Sequence, residues 1–241
     1  MKTVLNFIDI PQEVQVLILQ LCKGEDLLNF AEAFQNKEID NLIKHKILWN
    51  TPTIGPRNLR KYLKYLGPYT KDITIIGPVI LNKSSKPSKN MYDKSEFLPE
   101  SVLSSIRLNC PSLESLRLQN CMFDTEKIKF SQFPKSLKSL SLINVELHNK
   151  SQQKFSVSSS PFFGIKKMLP NLERLELENP WWLKAWDSTA IISGCKQPPS
   201  LEIQGLVHVF TFVGESSTLS RDSRRSTSRQ FLSLLESNNG K

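Results

Sequence analysis

The triplet Leu113-x-x-Leu116-x-Leu118 returns as Leu137-x-x-Leu140-x-Leu142 and again as Leu172-x-x-Leu175-x-Leu177. Alternation over the last three residues of each copy is the period of a strand, so two leucines per copy share one face. A single short strand cannot bury such a face. Strands stacked side by side can, and the chain must then return along the outer side between copies. The pattern therefore predicts parallel strands with helices or loops between them, an α/β class of fold. The second copy starts 24 residues after the first and the third 35 residues after the second. The excess length falls in 148–160, a polar Ser/Gln/Lys stretch that reads as a loop insertion. Ile73-x-Ile75 fits a degenerate first copy, 43 residues before Leu116, with the lysine-rich stretch 81–93 in between. Cys121 is expected to pack inside the turn after the first full copy. Val145 and Pro180 stand at that place in the other two, so the array is expected to be ending at the third.

Ahead of the repeats lies Ile10–Trp49, where apolar residues follow the helical period. Pro11 suits a helix start, because its fixed φ and missing N–H cost nothing there. Val14, Leu17, Ile18 and Leu21 form one stripe, widened by Val16 and Leu19. Gly24 reads as a stop and Asp26 as a cap for a second helix, with Leu27, Leu28, Ala31 and Phe34 on its apolar side. Ile39, Leu42, Ile43 and Ile47 give a third, closed by Leu48-Trp49. Units of about forty residues seldom bury enough surface to stand alone, so a partner is expected. The turn-rich joint that follows leads to a short helix over Leu59–Leu66, a strand over Asp72–Ile76, and a helix carrying Val102, Leu103 and Ile106.

Composition narrows the function classes. The net charge of +9 sits in two places, Lys83, Lys86, Lys89 and Lys94, and the tail arginines Arg221, Arg224, Arg225 and Arg229. Aromatic interleaving is sparse and no nucleic-acid fold signature appears, so nucleic acid is not an expected partner. Cysteines 22, 110, 121 and 195 have no zinc spacing, which predicts reduced thiols and an intracellular protein without a metal. No apolar run reaches membrane-helix length, and Asp9, Pro11 and Glu13 interrupt any signal-peptide core. Histidines 45, 148 and 208 are isolated, and no catalytic or phosphate-binding motif is present. A non-catalytic chain with no cofactor is expected.

Ile10-Pro11-x-Glu13, Ile18 seven after the proline, Asp26-Leu27-Leu28 fifteen after it, and Leu48-Trp49 resemble the F-box. Two of that family's frequent positions differ, falling on Ala33-Phe34 and Lys37. The pattern also fits an ordinary helical bundle. Followed by the repeats, it is similar to the F-box/leucine-rich-repeat family over residues 5 to about 186. The resemblance implies a three-helix F-box over 5–50, a joint over 51–97 and a short solenoid over 98–186; beyond it, 187–214 reads as an uncertain fourth repeat or cap, and the Ser/Thr/Arg composition of 215–241 reads as a disordered tail. It implies docking on the Skp-type adaptor, and through it the cullin, of a ubiquitin ligase in the cytoplasm or nucleus. Other subunits would perform the ubiquitin chemistry. Ile10, Pro11, Ile18, Leu21, Leu27, Leu28, Leu48 and Trp49 are the candidate adaptor contacts, with some of them expected to hold the helices together instead.

An unknown protein substrate is expected on the outward strand positions. The candidates are Arg117, Gln119, Arg174 and Glu176, with Ser115, Ser139, Ser141 and Glu178 beside them. Trp181 and Trp182, with Trp186, suit either substrate contact or a cap on the last repeat. The change of character near Asp187 is what a truncated or alternatively spliced product would show. The competing reading is a repeat scaffold that binds the adaptor without a dedicated substrate.

Overall fold

A computed structural model describes residues 7–55, 59–77, 96–125, 128–148, 157, 160–180, 183, 185–194 and 207–211. The lysine-rich stretch, Trp181, Trp182, Leu201–Ile203 and the Ser/Arg tail lie outside the described residues. Three helices come first: α1 (Gln12–Leu19), α2 (Gly24–Phe34) and α3 (Lys37–Ile43). A 3-10 turn over Lys46–Trp49 follows, then β1 (Thr53–Ile54), α4 (Leu59–Tyr62) and β2 (Asp72–Ile76). After these come β3 (Glu96–Phe97), α5 (Glu100–Asn109), β4 (Ser115–Gln119) and β5 (Cys121–Asp124). The chain continues through β6 (Ser139–Ile143), β7 (Glu146–His148), α6 (Ile165–Met168), β8 (Arg174–Glu178), α7 (Ala185–Gly194) and β9 (Val207–Thr211).

The main sheet has the order β1-β2-β4-β6-β8-β9, parallel up to β8. Its register lines up Ile73, Leu116, Leu140 and Leu175 in one column and Ile75, Leu118, Leu142 and Leu177 in the next. All eight are buried. Ile73-x-Ile75 thus occupies a strand in the same columns as the leucine copies. Leu113, Leu137 and Leu172 are fully buried beneath them. A second sheet, β3-β5-β7, runs parallel on the return side.

The array closes differently at its two ends. At the far end β9 runs antiparallel to β8 and sets the fully buried Phe210 opposite Leu175. At the near end the helices share one continuous core with the sheet. Trp49 is fully buried, stacked on Tyr65 with ring centroids 4.7 Å apart, and its Nε1–H donates to the Ile43 carbonyl at 2.6 Å. Its own carbonyl accepts from Thr70 Oγ1 at 2.9 Å. Gly24, expected as a helix stop, instead opens α2, and a Cβ there would lie 2.9 Å from the Thr53 carbonyl oxygen. Close approach of α2 to β1 requires that glycine. Asp26 caps from inside the first turn, its carboxylate accepting from the Lys23 N–H at 3.2 Å.

Each strand then turns a corner on one residue type. Asn120, Asn144 and Asn179, each two positions after the last leucine of its copy, have φ of 53°, 48° and 52°. This left-handed region is open to Asn more than to other side chains. Asn144 Nδ2 donates to Asn120 Oδ1 at 3.1 Å, and Asn179 Nδ2 to Asn144 Oδ1 at 2.7 Å, so the corners form a ladder. Gly77 holds the equivalent place after β2, where a Cβ would meet the Asn120 carbonyl oxygen at 2.1 Å. At the opposite end of the strands Glu114 bridges Lys71 and Lys138 at 3.3 and 2.9 Å. These pairs are exposed and contribute little each.

The ladder yields an ordering of variants. Asn144→Gly keeps the corner but loses the side-chain bonds, at a cost of about 1 kcal/mol. Asn144→Ala also forces a left-handed alanine, which raises the cost to about 2 kcal/mol. Urea unfolding of both should show the alanine variant the less stable; equal midpoints would mean that the corner imposes no conformational demand.

Candidate protein-docking site

Helix α1 buries only the narrow side of its apolar surface. The narrow pair Val16 and Leu19 is buried, and the broad stripe faces outward. Leu21 is 87% exposed and Leu17 60%, with Val14 and Ile18 beside them on the same face. Apolar side chains surround this helix, and eight residues cannot bury all of them against one core. A helix apolar all round is normally covered on both sides, and a contiguous exposed apolar surface marks an interaction site. The preceding 3-10 turn, Phe7–Asp9, extends the surface, with Ile8 exposed. Gln15 Nε2 pins that turn to the helix by donating to the carbonyls of Phe7 and Ile10, both at 2.9 Å. Phe7 packs edge-on against Phe30 at 5.5 Å, and Phe30 meets the exposed Phe34 at 4.6 Å.

The eight candidate adaptor contacts divide cleanly. Pro11, Ile18 and Leu21 are exposed and Ile10 is half-buried, all on α1 or within two residues of its ends. Leu27, Leu28, Leu48 and Trp49 lie in the core, under α2 and beneath the first strands. The expectation that some of the eight hold the helices together falls on these four. Sequence reasoning set Val14 and Leu17 in the same stripe as Ile18 and Leu21 without naming them as contacts, and passed over Ile8. The available signal was the count of apolar residues on α1, too many for one face.

The substrate-side candidates stand on the sheet face away from the leucine columns. Arg117 and Arg174 are exposed, whereas Gln119, Glu176 and Glu178 are half-buried. The register brings Thr74, Arg117, Ser141 and Glu176 into one row. Trp181 and Trp182 lie outside the described residues, and Trp186 falls in α7.

Other parts of the molecule offer little chemistry. A cleft of about 410 Å³ lined by Leu28, Ala31, Glu32, Asp40, Lys61, Lys64 and Tyr65 has Lys61 paired with Glu32 at 2.9 Å, Asp40 paired with Lys44, and the Lys64 ammonium over the Tyr65 ring at 4.6 Å. Among the described residues no cluster of His, Cys, Asp or Glu is suited to hold a metal, and no helix is long and apolar enough to cross a membrane. Burial pushes the Tyr62 hydroxyl up to about 12, helped by the Glu25 and Asp26 carboxylates. It pushes the Cys110 thiol up to about 11, against hydrogen bonds with Thr70 and Gly67. Such a thiol is protonated at neutral pH, which is the wrong state for a nucleophile. Compared with family models and with curated proteins, the chain has no match in either.

Two expectations follow from this division. Trp49→Ala removes a fully enclosed ring and should lower unfolding stability by about 3–5 kcal/mol, whereas Leu17→Ser and Leu21→Ser should each change it by no more than about 0.5 kcal/mol. Urea midpoints decide between core and surface. Tyr62 and Cys110 are held neutral by folding, so the stability they hold is complete below their ordinary values, 10 and 9, and is lost as pH rises through about 12 and 11. Tyr62→Phe should therefore flatten the alkaline fall in thermal midpoint between pH 9 and 11.5; superimposable profiles for the variant and the parent would contradict this.

Proposed function

We propose that the chain is the substrate-receptor subunit of an SCF (Skp–cullin–F-box) ubiquitin ligase, with α1 and the turn before it docking on the Skp-type adaptor and the repeat face recruiting a protein for ubiquitination. One observation carries the reading: the helix that opens the F-box-like motif presents an uncovered apolar stripe, Val14, Leu17, Ile18 and Leu21. The motif gives that stripe an owner. The repeats supply the second requirement of a receptor, a rigid surface at a fixed offset from the docking helix, because both share one core. The chain's contribution to chemistry is then proximity, which raises the effective concentration of a substrate lysine near the charged conjugating enzyme.

Burial of each leucine at an interface is worth about 1.5–3 kcal/mol. Leu17→Asp with Leu21→Asp should weaken binding to a purified Skp-type adaptor by at least about a hundredfold while the urea midpoint stays put. Retained affinity in that double variant would overturn the assignment of the docking face. Depletion of the chain from cells, followed by ubiquitin-remnant profiling under proteasome inhibition, should reveal specific targets; a scaffold without a substrate would leave none.

A further inference from the structure

We infer that, without the adaptor, the outer face of α1 pairs with the same face of a second copy of this chain, antiparallel across a twofold axis, and that the adaptor displaces this pairing when it docks. The pairing stands on the surface of α1 alone; its displacement by the adaptor rests on the docking reading above.

The stripe is uneven, and its unevenness fits itself. Val14, Leu17, Ile18 and Leu21 are 42%, 60%, 41% and 87% exposed. The last turn tightens, the N–H groups of Leu21 and Cys22 donating to the Ile18 and Leu19 carbonyls at 3.1 and 3.0 Å. Such a turn eclipses residues three apart and so carries Leu21 over Ile18 on the outer face. Leu21 is the proud end of the stripe and Val14 the recessed one. In a twofold contact residue i meets j and j meets i. With the axis midway between Leu17 and Ile18, Val14 of each copy meets Leu21 of the other, and Leu17 meets Ile18. Every contact then sets a more exposed side chain against a less exposed one. A parallel pairing would set Leu21 on Leu21 and leave the two recessed Val14 side chains apart.

The rim permits the same approach. Within α1 only Glu13 is charged. At 1.5 Å per residue, the two copies of Glu13 stand about 13 Å apart along the paired helices, so like charges do not meet. Helical angles put Glu13 and Gln20 on one flank of the stripe, and both are exposed. The twofold axis brings Glu13 of each copy beside Gln20 of the other. Four apolar side chains per copy fall short of the roughly 1,000 Å² that a stable interface buries. The dimer is therefore reversible, with a Kd on the order of 10–100 μM, and yields to a tighter partner. It takes from water an apolar face that would otherwise stay open.

Sedimentation equilibrium of the full chain at 2–300 μM (roughly, to bracket that Kd) tests the pairing. The parent should show a reversible monomer–dimer equilibrium. Gln20→Lys, which faces Glu13 of the other copy, should tighten it about three- to tenfold, and Gln20→Glu should loosen it by a similar factor. Glu13→Lys combined with Gln20→Glu should restore the parental value. In a Cys22→Ser background, Leu17→Cys lies close to its own twofold mate and should form a covalent dimer under mild oxidation. Leu21→Cys, about 10 Å from its mate along the axis, should not. A chain monomeric throughout, equal effects of Lys and Glu at position 20, or equal cross-linking at 17 and 21 overturns the pairing. Purified adaptor is then added to the dimer: a one-to-one complex with loss of the dimer is expected, and a dimer that persists with adaptor bound overturns the sharing of one face. Adaptor binding by a strictly monomeric chain removes only this inference, whereas a dimer that binds no adaptor removes the docking reading and with it the displacement.

Discussion

Everything in this molecule depends on covering the two ends of its leucine columns. A parallel strand hands its apolar face and its open edge to the next strand, and the handing on must stop somewhere. At the far end β9 reverses direction, pairs with β8, and sets Phe210 against Leu175. At the near end the helical unit performs the same task. Trp49 is its keystone, joined to α3 through the Ile43 carbonyl, to the α4 region through Tyr65, and to the start of β2 through Thr70. The first forty residues are therefore the cap of the sheet as well as a separate run of helices.

That role changes the meaning of their small size. A unit too slight to fold alone needs a partner, and the sheet is one. It takes the inner faces of α2, α3 and the Lys46–Trp49 turn, and it takes Val16 and Leu19 from α1. It leaves the outer stripe of α1 exposed. The docking reading rests on this remainder: once the internal partner is counted, apolar surface is still left over, and it belongs to the helix that opens the F-box-like motif.

Much of the fold was legible because its signals are periodic. The leucine spacing gave the strands and their common face, and Ile73-x-Ile75 showed the same alternation in other residues. The corner residue was missed. Cys121, Val145 and Pro180 have only position in common, while the Asn one place earlier recurs in all three copies and is demanded by a positive φ. The direction of α1 was illegible for a different reason. Periodicity finds an apolar face but cannot say whether the core or an absent protein covers it. Trp49 shows the same limit from the other side, because a motif residue that organises the docking element need not touch the partner.

The central claim is that α1 faces a partner while Trp49 faces the fold. Hydrogen–deuterium exchange of the full chain, with and without saturating purified Skp-type adaptor, tests it most directly. The account predicts slowed exchange over 12–22 on addition of adaptor, with the Lys46–Trp49 turn and the strands β4, β6 and β8 unchanged. Binding that leaves α1 unaltered, or protection confined to the strand face, would contradict it.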